Sequence, residues 1–341
     1  MWFIWKKQEF DKFILFQKPM KITFTFLTVL MLAVQVSAQQ PAQYSMYRLN
    51  KYSFNPGYVG LDNSLSMTGV YRSQWVGLPG NPVSQNFNAH APLYITGGGI
   101  GVAVDNETLG SWRQTAFSAS YAHQMAVGKS GLLSLGLTAG WVQRQLDGSK
   151  VRTPSTEIDD LGNVFHNDSY LGSGLEGGAG PTAHFGAFYQ GEKLEVGVSA
   201  MNLLGNKLDI SGLKFEQERT YFFYLGYKAE LNNNFSAIPS VLLKTDVYQT
   251  QIDFSVSAVY NENIFVGASL RGYHTNSLDA VTLMGGFKLN EKISIGYAYD
   301  LGLSSIKTVS TGSHEILLNY NLGRPFGKGR PPTIIYNPRS L

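Results

Sequence analysis

Apolar residues alternate with small or polar ones in Leu133-Ser134-Leu135-Gly136-Leu137-Thr138-Ala139-Gly140-Trp141. The same alternation continues through Gln251-Ile252-Asp253-Phe254-Ser255-Val256-Ser257-Ala258. Successive side chains of a β-strand point to opposite faces, so a period of two gives one apolar face and one polar face. The side chains predicted to face an apolar phase are Leu133, Leu135, Leu137, Ile252, Phe254 and Val256.

Segments of this kind follow one another along most of the chain, and the gaps between them are short and long in turn. We place the strands at 64–72, 83–90, 98–105, 113–125, 131–144, 181–190, 194–201, 220–230, 236–246, 251–260, 264–273, 279–289, 292–301 and 313–322. The longest gaps are 145–180 and 202–219. Short gaps such as Gly191-Glu192-Lys193 carry hairpin residues, because Gly and Asn tolerate positive φ. An even strand number with alternating short turns and long loops is typical of bacterial transmembrane barrels.

The predicted fold class is therefore all-β, a transmembrane antiparallel β-barrel of about fourteen strands over residues 64–322. The alternation of gaps predicts that both chain ends lie on the short-turn side, in the periplasm.

A secretory leader is expected over residues 1–38. Lys21 precedes an apolar run that ends in Val36-Ser37-Ala38, a small-residue cleavage signal. Residues 1–19 fit no signal peptide, so Met20 is the expected start of translation. After Ala38 no run of about 18 apolar residues occurs, and no helical span is predicted. The chain has no cysteine, so we expect neither a disulfide nor a lipid-modified cysteine.

Composition agrees with a barrel in the cell outer membrane. Only 15% of residues are charged, while the chain has 19 Tyr and 20 Phe; a soluble domain carries about a quarter charged residues. Aromatic residues suit the two rims of a barrel, where an apolar ring meets lipid and a polar tip meets water. The net charge of +3 is too small and dispersed to indicate nucleic acid as a partner.

Two terminal segments flank the predicted barrel. Residues 39–63 are too aromatic for a solvated linker, with Tyr44, Tyr47, Tyr52 and Phe54, and we expect them to plug the barrel mouth or lumen. Residues 323–341 begin basic and proline-rich and then regain β character at Ile334-Ile335-Tyr336. Docking of a periplasmic partner and a disordered tail are both open for this second segment.

No catalytic signature stands out. The sequence has no Gly-x-Ser-x-Gly elbow and no His-Glu-x-x-His motif, and its six His residues are scattered. His, Asp and Glu do not cluster at metal-ligand spacing. We therefore expect a protein that is not an enzyme and that uses neither cofactor nor metal.

Three local groups stand out from the alternating background. The first, Asn55-Pro56-Gly57-Tyr58-Val59-Gly60, has the residues of a tight turn. The second, Tyr71-Arg72-Ser73-Gln74-Trp75-Val76-Gly77 followed by Pro82, could anchor a rim or form a recognition surface. The third pairs Tyr299-Asp300 with Ser313-His314-Glu315 across one predicted hairpin, where Asp300, His314 and Glu315 are expected to meet at the extracellular rim. The candidate partner-binding or structural residues are Asn55, Pro56, Tyr58, Gly60, Arg72, Gln74, Trp75, Gly77, Pro82, Tyr299, Asp300, His314 and Glu315.

These groups resemble the PorP/SprF family, outer-membrane proteins of the type IX secretion and gliding machinery of Bacteroidetes. The resemblance runs from about residue 40 to Asn337-Pro338-Arg339, with Gly57 standing where the family commonly has Ala. It implies a protein that assists the export or surface anchoring of cargo with a C-terminal signal domain, or that links the machinery to the outer membrane. The implied partners are type IX translocon and periplasmic subunits, a secreted adhesin or other cargo, and outer-membrane lipid. The side chains expected to reach a partner first are Arg72 and Trp75.

A diffusion or uptake channel is the alternative function. A barrel of about fourteen strands has a lumen that must be filled if it is not to conduct. Inward positions such as Gly136, Thr138 and Ser255 are small, which permits an open pore or a packed segment. No ring of charge of the kind that selects solutes is evident, so the sequence favours the secretion role.

Overall fold

The computed structural model describes residues 42–128, 130–154, 156–160, 164–166, 172–273 and 277–323. The leader and start predicted within residues 1–38, and the tail from residue 324, lie outside the described residues. Among the described residues, no helix has both the length and the apolar character needed to cross a membrane.

Fourteen long strands form one closed antiparallel barrel, which confirms the predicted fold class. Closure is made by the first and last strands, which pair from Ser66 with Asn321 to Ser73 with His314. The strands are β1 Ser66–Ser73, β2 Val83–Leu93, β3 Gly98–Leu109, β4 Trp112–Val127, β5 Gly131–Asp147, β6 Leu175–Gln190, β7 Leu194–Met201, β8 Thr220–Tyr227, β9 Phe235–Thr245, β10 Thr250–Tyr260, β11 Ile264–Tyr273, β12 Ser277–Lys288, β13 Ile293–Gly302 and β14 Ser313–Asn321.

The connections differ between the two ends of the barrel. One end, the short-turn end, carries six tight turns, such as the one between Tyr260 and Ile264, and the start of β1 and end of β14. The other, the long-loop end, carries residues 148–174 and 202–219, which contain the small hairpins Thr156–Ile158 with Val164–His166 and Lys207–Ile210 with Leu213–Glu216. A two-residue strand, Ala229–Glu230, extends the edge of β9.

The predicted apolar face is the outer face. Leu137 is 63% exposed and Ile252 is 47% exposed, and Leu135, Phe254 and Val256 are exposed as well. Their neighbours along the strands, Ser134, Thr138 and Ser255, are buried on the inside. A closed sheet satisfies every strand edge, which lipid cannot do by hydrogen bonding.

The largest boundary difference concerns β6. Its predicted start is residue 181, whereas the strand begins at Leu175 and pairs there with Asp147. Glu176-Gly177-Gly178-Ala179-Gly180 has no large apolar residue in an alternating pattern, so the sequence signal stops early. The backbone nevertheless continues the ladder beyond the apolar band, because β5 provides a partner for each residue.

Three single turns of 3₁₀-helix, Tyr47–Leu49, Lys51–Ser53 and Pro56–Tyr58, precede β1. We call residues 42–65 the N-terminal segment. Each of the three apolar clusters of the interior contains side chains of this segment: Met46 in one, Tyr47, Phe54 and Leu61 in the second, and Tyr52 and Val59 in the third. The core of the molecule is therefore built around this segment, inside the ring of strands.

Candidate functional site: the inner ion cluster and the N-terminal segment

The N-terminal segment crosses the barrel from the long-loop end to the short-turn end. The Gln43 amide nitrogen lies 2.5 Å from an Asp253 carboxylate oxygen, near the start of β10 at the long-loop end. In the short turn after β2, the Tyr94 hydroxyl donates a 3.1 Å hydrogen bond to the Asn63 carbonyl. The prediction that the N-terminal end of the chain lies on the short-turn side is therefore wrong for residues 43–46, which lie near the long-loop end. The sequence shows where β1 begins, but it does not show that the preceding chain folds back through the lumen.

Between these ends the segment binds inward-facing side chains from around the ring. The Tyr47 hydroxyl lies 3.0 Å from Ser255 Oγ, and the Tyr52 hydroxyl lies 2.9 Å from Ser120 Oγ. Asn50 donates to Asn86 at 2.9 Å. Buried polar groups need such partners, because a buried donor or acceptor without a hydrogen bond costs about 1–3 kcal/mol of stability. The segment therefore supplies hydrogen-bond partners to inner-face residues on three strands, β2, β4 and β10.

The motif Asn55-Pro56-Gly57 forms a tight contact with β5, β6 and β7. The Asn55 side chain accepts a 2.8 Å bond from the Gly57 amide and donates to the carbonyls of Ala187 and Val198, each at 3.1 Å. Pro56 begins the third 3₁₀ turn, where its missing N–H costs nothing. On β5, a Cβ at Gly136 would lie 2.3 Å from the Pro56 carbonyl carbon, so this close approach requires glycine.

Gly60 ends the same motif with a φ of +80°. A Cβ there would lie 2.7 Å from the Gly99 Cα, and the backbone region itself disfavours residues other than glycine. The Tyr58 hydroxyl donates to Asp62 at 2.7 Å, inside the short-turn half of the lumen. The Tyr58 ring also packs on Phe188 of β6, with the ring centres 5.1 Å apart, so all four candidate residues of this motif hold the segment against the inner wall.

Five charged side chains form a buried belt near the long-loop end, which we call the inner ion cluster. Arg72 lies 2.5 Å from Asp300 and 3.2 Å from Glu315. Arg271 lies 2.7 Å from Asp300 and 2.9 Å from Asp253. These residues stand on five of six consecutive strands of the closed sheet, β1, β14, β13, β11 and β10, and β12 contributes the Thr282 hydroxyl to Asp300 at 2.8 Å.

The inner ion cluster binds the start of the N-terminal segment. The two oxygens of Glu315 accept the backbone amides of Ser45 and Met46 at 2.6 and 2.8 Å. The Ser45 hydroxyl donates to Asp300 at 2.8 Å and accepts from Arg72 at 2.8 Å and Arg271 at 2.9 Å. Charge-assisted hydrogen bonds of this kind are about twice as strong as neutral ones. The inner ion cluster therefore forms a buried binding site that fixes the position of Ser45 and Met46.

The structure corrects the predicted arrangement of the rim residues. Asp300 and Glu315 do meet, but inside the barrel, where Glu315 has no exposed surface. His314 points to the outer face instead, where its Nδ1 lies 2.7 Å from the Tyr297 hydroxyl and its ring packs on Tyr299. Adjacent residues of a strand point to opposite faces, so His314 cannot join Glu315. Arg72 is also buried, so the prediction that its side chain reaches a partner at the surface is wrong.

The Gln74-to-Pro82 loop forms part of the long-loop surface. The Gln74 amide donates to the Pro82 carbonyl at 2.8 Å, and Val76 exchanges 2.8 Å backbone bonds with Gly312 and Thr311 of the loop before β14. Trp75 is held at a φ of +51° by these contacts and stays 36% exposed. Gly77 adopts a φ of +100° in the same loop. A cavity of about 120 Å³ below Trp75 reaches Arg72 and Asp300.

Sequence reasoning missed Ser45, Asp253 and Arg271. Asp253 and Arg271 occupy inward parity positions close to the long-loop ends of their strands. Charges at inward positions of neighbouring strand ends were the available signal, and this signal links them with Arg72, Asp300 and Glu315. Ser45 lies outside any periodic segment and gave no signal.

No curated protein matches the chain significantly. Solved structures similar to it include the Pseudomonas putida toluene transporter TodX, with 11% identity, a TM-score of 0.45 and coverage of 82% of this chain and 94% of that one. The Ralstonia pickettii toluene transporter TbuX has 10% identity, a TM-score of 0.46 and coverage of 80% and 92%. The Acinetobacter baumannii outer membrane protein Omp33 has 6% identity, a TM-score of 0.45 and coverage of 76% and 98%.

One family matches nearly all of the barrel. Its description is "Type IX secretion system membrane protein PorP/SprF", and the match covers residues 36–320. That range includes the whole N-terminal segment, the inner ion cluster and all but the last residue of β14. The chain belongs to the PorP/SprF family of type IX secretion system membrane proteins and is an outer-membrane β-barrel.

Proposed function

We propose that this protein is a docking component of the type IX machinery that assists the export or surface anchoring of cargo with a C-terminal signal domain. It acts by protein contact, without covalent chemistry and without a cofactor. Long loops of bacterial barrels face the outside of the cell and short turns face the periplasm. The long-loop end is therefore the surface proposed to receive cargo, and the short-turn end the surface proposed to contact periplasmic subunits.

The lumen carries the main support for docking over diffusion. A barrel of this strand number can enclose a channel. Here the N-terminal segment runs through the lumen, and Glu315 fixes its start by two backbone hydrogen bonds of 2.6 and 2.8 Å. A solute would have to pass a segment whose aromatic side chains are buried against the wall. A fixed interior suits a protein that works through its surfaces.

Exposed apolar side chains on the loops give the second support. On the strands such side chains are explained by lipid, but loops beyond the strands face water, and exposed apolar patches there mark interaction sites. Tyr248, between β9 and β10, is 64% exposed. Further exposed apolar side chains in the described loops of the long-loop end are Trp75, Ile158, Phe165, Leu204, Val247, Leu303 and Val309.

The test compares loop variants with a matched variant at the opposite end. Trp75→Ala and Tyr248→Ser should reduce the surface display of a type IX cargo while the barrel stays inserted at wild-type level. Loss of one binding hot spot weakens an interface by about 2 kcal/mol, or about 30-fold. Ile95→Ser removes a still more exposed apolar side chain, 76% against 36% for Trp75, from a short turn at the opposite end. It should leave the binding of purified cargo at the long-loop end unchanged, whereas Trp75→Ala and Tyr248→Ser should weaken it.

Cargo display is measured by antibody labelling of intact cells, with heat-modifiable gel mobility as the folding control. A strain that lacks the protein but displays all type IX cargo normally, and that fails to take up a solute, would replace docking with the channel function. Deletion of residues 324–341 tests the periplasmic side, where we expect weaker co-purification with periplasmic subunits.

A further inference from the structure

Arg48 differs from the other buried arginines of the lumen. Its side chain is 8% exposed, yet within the described part of the chain it forms no hydrogen bond and no ion pair. Its guanidinium lies 5.9 Å from the centre of the Phe265 ring, and its Nη2 is buried without a partner. Arg72 and Arg271, by contrast, each contact two carboxylates. Arginine stays charged in proteins, and a buried charge without a counter-charge is costly.

Arg48 lines a cavity of about 110 Å³ that opens at the short-turn end of the barrel. We call it the short-turn cavity. Lys288 borders it from the end of β12, Glu291 and Lys292 border it from the turn between β12 and β13, and Gly323 borders it just after β14. The volume holds several water-sized groups, enough for a carboxylate or phosphate group with hydration water.

Among the described residues, the charges around this cavity leave Arg48 without an ion pair of its own. Four cationic side chains, of Arg48, Lys51, Lys288 and Lys292, face three carboxylates, of Asp62, Glu195 and Glu291. Two of these carboxylates are engaged: Glu195 lies 2.6 Å from Lys51, and Asp62 accepts the Tyr58 hydroxyl at 2.7 Å. Glu291 is exposed on the turn. The short-turn cavity therefore contains a buried cation, and a ligand can reach it from the short-turn end.

We propose that the short-turn cavity is an oxyanion site in which Arg48 binds a carboxylate or phosphate group that enters from the short-turn end. The planar guanidinium presents a fork of donors that matches either group. Lys292, exposed at the entrance, attracts the anion, and Arg48 holds it inside. The same chemistry serves a free phosphate ion or an acidic side chain of a periplasmic protein.

The experiment titrates purified protein in detergent with inorganic phosphate, or with the peptide N-acetyl-Glu-Glu-amide, at constant ionic strength set by sodium chloride. The readout is the temperature at which the compact form on a gel is lost, since a ligand that binds only the folded state raises it. Wild type should show a saturable rise. Arg48→Met should lose this rise, because its affinity for the probe should be lower by about tenfold or more. Arg48→Lys should keep part of the rise. Arg113→Met, an exposed arginine at the long-loop end, should respond as wild type.

A rise with phosphate alone identifies a free ion as the ligand, and a rise with the peptide at lower concentration identifies an acidic segment. In buffer without either probe, Arg48→Met should be at least as stable as wild type, because it removes an uncompensated charge. Lys292→Gln, at an exposed position that cannot perturb the interior, should weaken binding severalfold and keeps the test valid if Arg48→Met fails to fold. No response of wild type, or equal responses of wild type, Arg48→Met and Lys292→Gln, would overturn the proposal.

Discussion

Single charges in the inner ion cluster matter through what their loss leaves behind. Removal of Arg72 leaves Arg271 as the one cation in contact with Asp300 among the described residues, and it leaves Glu315 with no cation among its described contacts. A buried ion pair adds little net stability, but breaking one costs about 3–5 kcal/mol because a buried charge stays unpaired. The cluster is therefore best understood as a constraint on where Ser45 can sit.

We expect Arg72→Met to lower the free energy of unfolding by about 3–5 kcal/mol, whereas Arg113→Met at an exposed site should change it by about 0.5 kcal/mol or less. The measurement is urea unfolding of the protein in lipid vesicles. Adding Glu315→Gln to Arg72→Met should cost less than the sum of the two single changes, because the two side chains share one interaction. Strict additivity would show that Arg72 and Glu315 do not interact.

At the scale of strands, depth in the membrane sets the cost of a charge. Leu137 and Leu175 both point outward, on β5 and β6, but Leu175 begins β6 at the long-loop end. Leu137→Arg should destabilise the barrel by about 2–4 kcal/mol, and Leu175→Arg by about 1 kcal/mol or less, since the penalty falls toward the interface. Refolded yield in lipid vesicles measures both. Equal yields would mean that Leu137 does not lie at the membrane interior.

The N-terminal segment makes a prediction about sidedness. Gln43 borders the cavity below Trp75 at the long-loop end, so Gln43→Cys should react with a small membrane-impermeant thiol reagent added to intact cells. Asn290→Cys, in a short turn, should react only after the outer membrane is permeabilised. The chain has no native cysteine, so each label reports one site. Labelling of Gln43→Cys only after permeabilisation would place the segment on the periplasmic side.

At the scale of the whole molecule, the segment inside the ring decides whether the barrel conducts. Wild-type protein in a planar lipid bilayer should show little steady current, and a chain without residues 42–61 should conduct severalfold more. A wild-type current as large as that of the deletion variant would show that solutes pass the segment. Gel mobility of the inserted protein confirms that the deletion variant still forms a barrel.

The sequence by itself determined the strands, their outward faces and the family. Alternation is local, so Leu133 to Trp141 carries its own facing pattern wherever the strand lies, and turn residues such as those at 261–263 set the hairpins. The motif around Asn55 and the one around Arg72 were also recognisable in the sequence. The predicted position of Arg72 at the rim was wrong, because the sequence of a strand end does not reveal which segment fills the lumen beside it.

Only the tertiary structure decided which of these residues meet. Arg72 and Glu315 are 243 positions apart and face each other because closure pairs β1 with β14. Ser45 reaches them only because the N-terminal segment, which has no period of its own, folds back through the ring. The surroundings of Arg48 are set in the same way: its cavity is lined by β1 and β2, close to it in sequence, and by β7 and β11 to β14, which lie far along the chain. Among the described residues, none of the charges that these strands bring to the cavity forms an ion pair with Arg48. Local chemistry specifies strands, whereas contacts across a closed lumen depend on the packing of the complete chain.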